Sequence, residues 1–174
     1  MTRPPSSEKG REIQRPEPIS QSHDLTAFDC GNQDLNLWLK QRALLSEGRS
    51  ARTTVLCEGR RAIGYYCLAT GAIERESLSS AKLRRNLPDP IPIVVLGRLA
   101  VHRNHQGRGL GSALLKDAIL KTITASKIAG VRALLVHAID DEAAKFYGRY
   151  GFVASPLSPR SLLLPIETAK AALG

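Results

Sequence analysis

Residues 106–113 read Gln106-Gly107-Arg108-Gly109-Leu110-Gly111-Ser112-Ala113. A nearly all-apolar segment, Ile91 to Val101, precedes this stretch, and a segment with helical character, Leu114 to Ile128, follows it. Glycines between a strand and a helix let backbone amides approach a phosphate closely, and the helix N-terminus adds partial positive charge and free N–H donors. The sequence therefore predicts that residues 106–112, the glycine loop, hold a phosphorylated ligand.

The order of elements around the glycine loop excludes two common nucleotide-binding folds. The hydrophobic periodicity predicts a helix, a hairpin, a strand, the loop, a helix, a strand, a helix and a strand, in that order. This is not the order of a doubly wound dinucleotide-binding sheet, and no carboxylate ends the strand that follows the loop helix. No Gly-Lys-Ser/Thr follows the glycines, so the loop is not a P-loop either.

The composition is typical of one globular domain, with 174 residues of which 43% are hydrophobic. No apolar stretch approaches the roughly 20 residues of a membrane span, and no signal peptide is recognisable, so we expect a cytoplasmic protein. The three cysteines, Cys30, Cys57 and Cys67, lack the spacing of a metal site, so we expect reduced thiols and no metal. The polar, proline-rich residues 1–22 predict a flexible N-terminal tail, and residues 23–174 predict one domain.

The net charge of +9 is concentrated in one part of the chain. Residues 40–108 contain 13 Lys or Arg against 5 Asp or Glu, which leaves +8 in the segment that leads into the glycine loop. A local positive field of this kind attracts polyanions such as nucleic acids. Scattered arginines that only keep the protein soluble remain the alternative.

Two motifs in the correct order resemble the signatures of the GNAT family of N-acetyltransferases. The first is Gln106-x-x-Gly109-x-Gly111 after an apolar strand, and the second is residues 143–152, where Phe146-Tyr147 precede Gly151-Phe152. The resemblance implies an α/β (α+β) GNAT fold. In that fold helices flank a central, mixed but mostly antiparallel twisted sheet, and acetyl-CoA is bound in a splay between two central strands.

The same resemblance implies an acetyl-CoA-dependent N-acetyltransferase with acetyl-CoA as co-substrate and Tyr147 as the general acid. A phenol has an ordinary pKa of about 10 and is protonated at neutral pH, as a general acid must be. Helical spacing alone also fits Tyr147 as a packed aromatic residue. The residues implied to bind acetyl-CoA are Leu99, Ala100, Val101, Gln106, Gly107, Arg108, Gly109, Leu110, Gly111, Ser112, Asp140 and Phe146.

Further stretches are similar to one subgroup, the acetyltransferase toxins of bacterial type II toxin–antitoxin systems. These stretches are residues 28–31, 35–39, 64–66, 96–101 and 136–141. The subgroup implies acetylation of the α-amino group of aminoacyl-tRNA, a block of translation, a ribbon-helix-helix antitoxin as partner and a homodimer. Thr54 departs from the pattern, since an aromatic residue is expected there.

The apolar strand Ile91 to Val101 contains no Asp or Glu. Many lysine or polyamine acetyltransferases of the GNAT family keep a carboxylate base on this strand. A lysine amine, with a pKa of about 10.4, needs such a base more than an α-amine, whose pKa is about 7.7–8.0. The strand therefore favours an α-amine acceptor. His102 and His105 remain candidate bases, although histidines beside a basic loop more often face solvent.

The basic segment supplies a candidate surface for the phosphates of the tRNA acceptor stem. Its predicted tRNA-binding residues are Lys40, Arg42, Arg49, Arg84, Arg85 and Arg98. A solvated loop is the alternative for Arg84 and Arg85. Two other functions stay open, an N-acetyltransferase that acts on a protein N-terminus or a small amine, and an inactive acetyl-CoA-binding module.

Overall fold

A computed structural model describes residues 12–78, 81–85, 87–156 and 158–173. Its seven-stranded sheet has the order β1-β2-β3-β4-β5-β7-β6. The strands are β1 (Glu17–Pro18), β2 (Arg52–Glu58), β3 (Arg61–Ile73), β4 (Ile91–Val101), β5 (Ala133–His137), β6 (Val153–Ser155) and β7 (Ser158–Pro165). The helices are α1 (Gln33–Gln41), α2 (Ala43–Ser46), α3 (Ala81–Arg84), α4 (Leu110–Ile128), α5 (Asp141–Gly148) and α6 (Ile166–Leu173).

The sheet is mixed and mostly antiparallel, as the resemblance to the GNAT family implies. Strands β4 and β5 are parallel, with Val94 opposite Leu134 and Leu96 opposite Val136. The pairs β1–β2, β5–β7 and β6–β7 are antiparallel. Strand β4 has the same bounds as the apolar run Ile91 to Val101 that predicts it.

Two helices begin at side-chain caps. The Asn32 side chain accepts a hydrogen bond from the Leu35 amide at the start of α1, at 3.1 Å. The Asp140 carboxylate accepts one from the Ala143 amide at the start of α5, at 2.8 Å. Asn and Asp are favoured N-caps because their side chains satisfy amides that lack a partner within the helix. The pair Asp140-Asp141 before this helical segment predicts a cap for it, and the structure confirms Asp140 as the cap.

Helix α4 begins at Leu110, four residues before the predicted start at Leu114. Gly109, the residue before the helix, has a positive φ of 78°, and its carbonyl accepts a hydrogen bond from the Ala113 amide at 3.0 Å. The helix therefore starts inside the glycine run. Glycine weakens a helix without excluding one, and the backbone of Gly111 is helical here.

The N-terminal segment is paired with the sheet over the part that the structure describes. Residues 1–11 of the predicted tail lie outside the described residues. From there on, the Gln14 amide donates to the Cys57 carbonyl at 2.8 Å, and the Ile19 amide donates to the Thr53 carbonyl at 3.0 Å. Pro18 lies in β1 at the edge of the sheet, where a residue without an N–H is tolerated. These bonds join main-chain atoms, so the polar composition of the segment does not reveal them.

The chain divides into two compact units. The first consists of the residues up to Cys67 and of Arg98–Asp117, and the second consists of Leu68–Gly97 and of the residues from Ala118 onward. The first has a core around Phe28, whose ring contacts that of Tyr65 at 5.5 Å. The second has a core that includes Ile91, Ile93, Leu135 and Leu163. The single domain over residues 23–174 stays a prediction. Within the described residues, no helix is long and apolar enough to cross a membrane.

Candidate active site

The glycine loop is open on the side where a side chain would project from two of its residues. Gly107 and Gly109 have φ values of 80° and 78°. A Cβ atom added at either position would meet nothing within 4 Å. These positions therefore need glycine for their backbone conformation, which L-residues rarely adopt, and not to avoid a neighbouring atom. Residues 107–109 are also exposed, so a ligand can approach the loop.

Helix α4 follows the loop and adds to its affinity for an anion. The helix has 19 residues, and no acidic residue lies in its first turn. The first amides of a helix have no partner within it, and the helix dipole makes this end partly positive. A phosphate group of a bound ligand fits the loop and the helix end together. These features fit the predicted pyrophosphate-binding role of residues 106–112.

Gln106 closes the turn between β4 and the glycine loop. Its side-chain amide donates to the Val101 carbonyl at 2.9 Å and to the Cys30 carbonyl at 3.1 Å. The side chain therefore holds the end of β4 and the start of the loop in a fixed relation. Sequence reasoning assigns Gln106 only a backbone contact with phosphate and misses this role of its side chain.

The two histidines beside the loop are both bonded within the protein. His102 Nδ1 accepts the Asn104 amide at 3.1 Å, so the ring proton lies on Nε2, which donates to the Ala27 carbonyl at 3.1 Å. His105 Nε2 lies 3.2 Å from a carboxylate oxygen of Glu58, and its Nδ1 is buried without a hydrogen-bond partner. Both ring nitrogens of His102 are engaged in hydrogen bonds within the protein, which argues against the role of His102 as a base.

Tyr147 lies on α5 and is only 7% exposed. Its ring contacts those of Phe146 and Phe152, with centroids 5.1 Å and 5.5 Å away. Burial raises the pKa of the Tyr147 phenol to about 12, so the hydroxyl keeps its proton throughout the neutral range. Such a group can donate a proton or a hydrogen bond, but it cannot serve as a base at neutral pH.

The other two predicted ligand residues near Tyr147 have contacts of their own. Asp140 uses its carboxylate to cap α5. Phe146 is half-buried, and its ring contacts Tyr147 on one side and Tyr150 on the other, at 5.4 Å. The cap fixes the start of the short helix, and the aromatic cluster fixes its Tyr147 side chain.

Arg98 is half-buried beside an aromatic side chain. Its guanidinium carbon lies 4.3 Å from the ring centroid of Trp38, and the Trp38 ring stacks on Tyr65 at 5.9 Å with an angle of 10°. A guanidinium over an aromatic face is a cation–π contact. The guanidinium of Arg98, for which a tRNA contact is predicted, therefore stacks on Trp38. The other predicted cations of this unit, Lys40, Arg42 and Arg49, are exposed.

Arg85 lines a cavity of about 260 Å³, and two other cationic residues, Arg132 and Lys170, line it as well. One anionic side chain, Glu167, lines the same cavity and lies 4.0 Å from the Lys170 ammonium. The neighbouring Arg84 is half-buried, and its carbonyl accepts a hydrogen bond from the Arg75 guanidinium at 2.9 Å. Sequence reasoning misses Arg132 and Lys170, because they are far from Arg85 along the chain.

The predicted site residues are divided between the two units. One contains Lys40, Arg42, Arg49, Arg98, Leu99, Ala100, Val101 and the glycine loop. The other contains Arg84, Arg85, Asp140, Phe146 and Tyr147. In the described ranges, no group of three or more His, Cys, Asp or Glu side chains is arranged to hold a metal ion.

Comparison with known proteins gives consistent matches. Residues 49–154 match the family described as the acetyltransferase (GNAT) domain. The chain is 42% identical over 160 residues to a tRNA-acetylating toxin of Mycobacterium tuberculosis, covering 91% of this chain and 96% of the relative.

Solved structures are similar over nearly the whole chain. The structure of AtaT complexed with acetyl-methionyl-tRNAfMet has a TM-score of 0.87 at 30% identity, covering 94% of this chain and 100% of that one. A tyrosine-to-phenylalanine mutant of the AtaT toxin, bound to the C-terminus of the antitoxin AtaR and acetyl-CoA, has a TM-score of 0.77 at 29% identity. That similarity covers 92% of this chain and 97% of the mutant chain.

Proposed function

The chain belongs to the GNAT family of acetyltransferases, and on this premise we propose that it is a toxin of a type II toxin–antitoxin system. It transfers an acetyl group from acetyl-CoA to the α-amino group of an aminoacyl-tRNA and thereby blocks translation. The observation that carries the proposal is the 42% identity to a tRNA-acetylating toxin over nearly the full length of both chains.

The donor half of the reaction uses the end of β4 and the glycine loop. Backbone amides of residues 106–112 and the N-terminus of α4 bind the pyrophosphate of acetyl-CoA. The backbone at Leu99, Ala100 and Val101 polarises the thioester carbonyl and stabilises the negative charge that develops on its oxygen. Asp140 caps the helix that carries Tyr147, and Phe146 lies on that helix. These two residues complete the proposed acetyl-CoA contacts.

Tyr147 is the proposed general acid. The amine nitrogen forms a bond to the thioester carbon, the carbon–sulfur bond breaks, and the sulfur receives a proton from the Tyr147 hydroxyl. The amine loses one proton in the same reaction, which restores the phenol, so protons balance. Burial keeps Tyr147 protonated, because its pKa of about 12 is well above neutral. Its aromatic neighbours hold the ring in one orientation.

The proposed acceptor needs no strong base. An α-amine has an ordinary pKa of about 7.7–8.0, so a substantial fraction is neutral near pH 7.5. The ester of an aminoacyl-tRNA withdraws electrons and lowers that pKa further. The absence of a carboxylate from the sequence of β4 and the internal hydrogen bonds of both His102 nitrogens agree with such an acceptor.

Positively charged surface residues in each compact unit are the proposed contacts for the acceptor stem. They are Lys40, Arg42, Arg49 and Arg98 in the first unit and Arg84 and Arg85 in the second. The cavity beside Arg85 supports this proposal, since it adds Arg132 and Lys170 to the cations that a phosphate would meet. Contacts to phosphate give affinity without sequence recognition, so selection among tRNAs depends on the attached amino acid and on features of the acceptor stem.

Charge reversal of Arg84 and Arg85 tests these contacts. We expect the double variant Arg84→Glu, Arg85→Glu to raise the KM for charged tRNA by about 10-fold or more and to reduce the dependence of binding on salt. The KM for acetyl-CoA should stay unchanged, as should the melting temperature. Steady-state kinetics at two salt concentrations measure both effects, and an unchanged KM for tRNA would remove these residues from the proposed contacts.

Partners and location follow from the same proposal. We propose a ribbon-helix-helix antitoxin, a homodimer and a cytoplasmic location, where charged tRNA is found. The AtaT structure with the C-terminus of its antitoxin supports a toxin–antitoxin pair as the setting. Size measurement of the purified chain, alone and after co-expression with the neighbouring reading frame, tests the dimer and the antitoxin.

The acceptor class is tested by offering three substrates to the same enzyme. We expect acetyl transfer to charged tRNA, and slow or absent transfer to a peptide N-terminus and to a polyamine. The high positive charge argues against a cationic small amine, because like charges repel. Faster transfer to the peptide or the polyamine than to charged tRNA would favour the alternative, an N-acetyltransferase of proteins or small amines.

A further inference from the structure

The segment Ala27–Cys30 is bonded along its length to the chain between β4 and the glycine loop. His102 donates to the Ala27 carbonyl at 3.1 Å, the Arg103 amide donates to the Asp29 carbonyl at 2.8 Å, and Gln106 donates to the Cys30 carbonyl at 3.1 Å. Three carbonyls of one short segment therefore receive donors from residues 102–106. This segment, which we call the strap, borders the approach to the glycine loop.

Asp29 is the residue at which the strap, α1 and the loop approach meet. Its carboxylate accepts the Gly31 amide at 2.9 Å and the Asn36 side-chain amide at 3.0 Å. It also accepts two donors from the Arg103 guanidinium, at 3.1 Å and 3.3 Å. Asn36 is 6% exposed, and its side-chain oxygen accepts a hydrogen bond from the Cys30 amide at 2.8 Å. The carboxylate thus joins α1 to Arg103 through direct contacts.

The ionised form of Asp29 is the one that these contacts require. The Gly31 amide, followed by Asn36 and Arg103, holds the pKa of the Asp29 carboxyl below its ordinary range. Both members of the ion pair are substantially exposed, with side-chain exposures of 58% for Arg103 and 43% for Asp29. Exposed ion pairs contribute little to folding, so overall stability does not account for the pairing of Asp29 with Arg103.

The glycine loop has few steric constraints of its own. Added Cβ atoms at Gly107 and Gly109 would meet no neighbour, so packing does not define the shape of the loop there. The bonds that Arg103 and Gln106 make therefore fix the position from which the loop starts. A carboxylate near a phosphate site would repel the ligand if it were unpaired, and Arg103 neutralises it.

We infer that Asp29 is a positioning residue for acetyl-CoA, which fixes the approach to the pyrophosphate loop through Arg103 and the strap. The inference rests on the proposed function, since it assumes that residues 106–112 bind acetyl-CoA. Asp29 touches neither the cofactor nor the reacting atoms in this role. It organises the binding loop before the ligand arrives, so its loss weakens ground-state binding more than chemistry.

The test compares Asp29→Ala with Asp29→Asn in the full-length enzyme. We expect Asp29→Ala to raise the Kd and KM for acetyl-CoA by about 10-fold, with kcat at saturation within about 2-fold. Asparagine keeps an oxygen that can accept the Gly31 and Asn36 donors but lacks the charge that pairs with Arg103, so the affinity of Asp29→Asn should lie between those of Asp29→Ala and wild type. Isothermal titration with acetyl-CoA and steady-state kinetics separate the two parameters, and a purely structural role would not produce this split or this partial rescue.

Asp24→Ala is the matched control, because the Asp24 carboxylate also accepts an amide two residues further along the chain, from Thr26 at 3.0 Å, and the acetyl-CoA affinity of this variant should be unchanged. Arg103→Gln supplies a second variant if Asp29→Ala does not fold, and it should also weaken acetyl-CoA binding. Unchanged affinity in a folded Asp29→Ala or Arg103→Gln protein would overturn the inference. A loss of kcat with unchanged Kd would overturn it as well, since it would indicate a chemical role.

Failure of this inference is distinguishable from failure of the proposed function. If wild-type protein binds acetyl-CoA and acetylates charged tRNA while Asp29→Ala behaves identically, only the role of Asp29 is wrong. If wild-type protein does not bind acetyl-CoA, the assignment of the glycine loop itself is wrong.

Discussion

Replacing Tyr147 by phenylalanine should lower the turnover of acetyl transfer by about 10²–10⁴-fold, the range expected when a positioned general acid is removed. The ring of Tyr147 is buried and contacts Phe146 and Phe152, and phenylalanine retains these contacts. Only the hydroxyl is lost, so folding and the Kd for acetyl-CoA should stay close to wild type. Single-turnover kinetics with charged tRNA measure the loss at the chemical step.

Tyr150→Phe is the matched control for this variant, because it removes the same group from a half-buried ring in the same aromatic cluster. Its turnover should remain within a few-fold of wild type.

The pH profile adds a second check. Since the folded pKa of Tyr147 is raised to about 12, its protonated form is complete below about pH 11, and activity should rise with pH from 6 to 8 as the amine loses its proton. Wild-type turnover in Tyr147→Phe would remove Tyr147 from the mechanism.

Valine at Gly109 should reduce the affinity for acetyl-CoA by at least about 10-fold and reduce kcat/KM accordingly. Gly109 has a φ of 78°, a conformation that costs a residue with a side chain roughly 1–2 kcal/mol and a β-branched residue more. The added side chain meets no protein atom within 4 Å at its Cβ, so it projects into the space in front of the loop. Either the backbone moves or the phosphate is displaced, and both weaken binding.

The control for the loop is Gly130→Val, since an added Cβ there also meets nothing within 4 Å and its φ lies outside the positive region. Acetyl-CoA binding by Gly130→Val should match wild type. Titration with acetyl-CoA and a melting curve distinguish local loss of binding from unfolding. Tight acetyl-CoA binding by a folded Gly109→Val protein would contradict the assignment of the phosphate site.

Local patterns predict much of the donor half of the site. The apolar run Ile91–Val101 and the glycines after it specify β4 and the loop, because both depend on residues that are adjacent in sequence. Asp140 is recognisable as the cap of α5 for the same reason. The start of α4 is less predictable, since Gly111 and Ser112 are poor helix formers that a helix nevertheless accommodates in its first turn.

Contacts between distant parts of the chain are not predictable from these patterns. Asp29 and Arg103 are 74 positions apart, and neither residue lies in a periodic segment that would reveal the pairing. The same holds for the cavity that joins Arg85 with Arg132 and Lys170. The pairing of β1 with β2 is made by main-chain atoms, so side-chain composition carries no signal for it.

The most direct test of the central claim identifies the atom that receives the acetyl group. The purified protein is incubated with isotope-labelled acetyl-CoA and total charged tRNA, the RNA is digested with nuclease, and the products are identified by mass spectrometry. We predict labelled acetyl groups on the α-amino nitrogen of aminoacyl-adenosine. Unlabelled aminoacyl-adenosine, together with labelled peptide or polyamine in parallel reactions, would contradict the assignment of aminoacyl-tRNA as the acceptor.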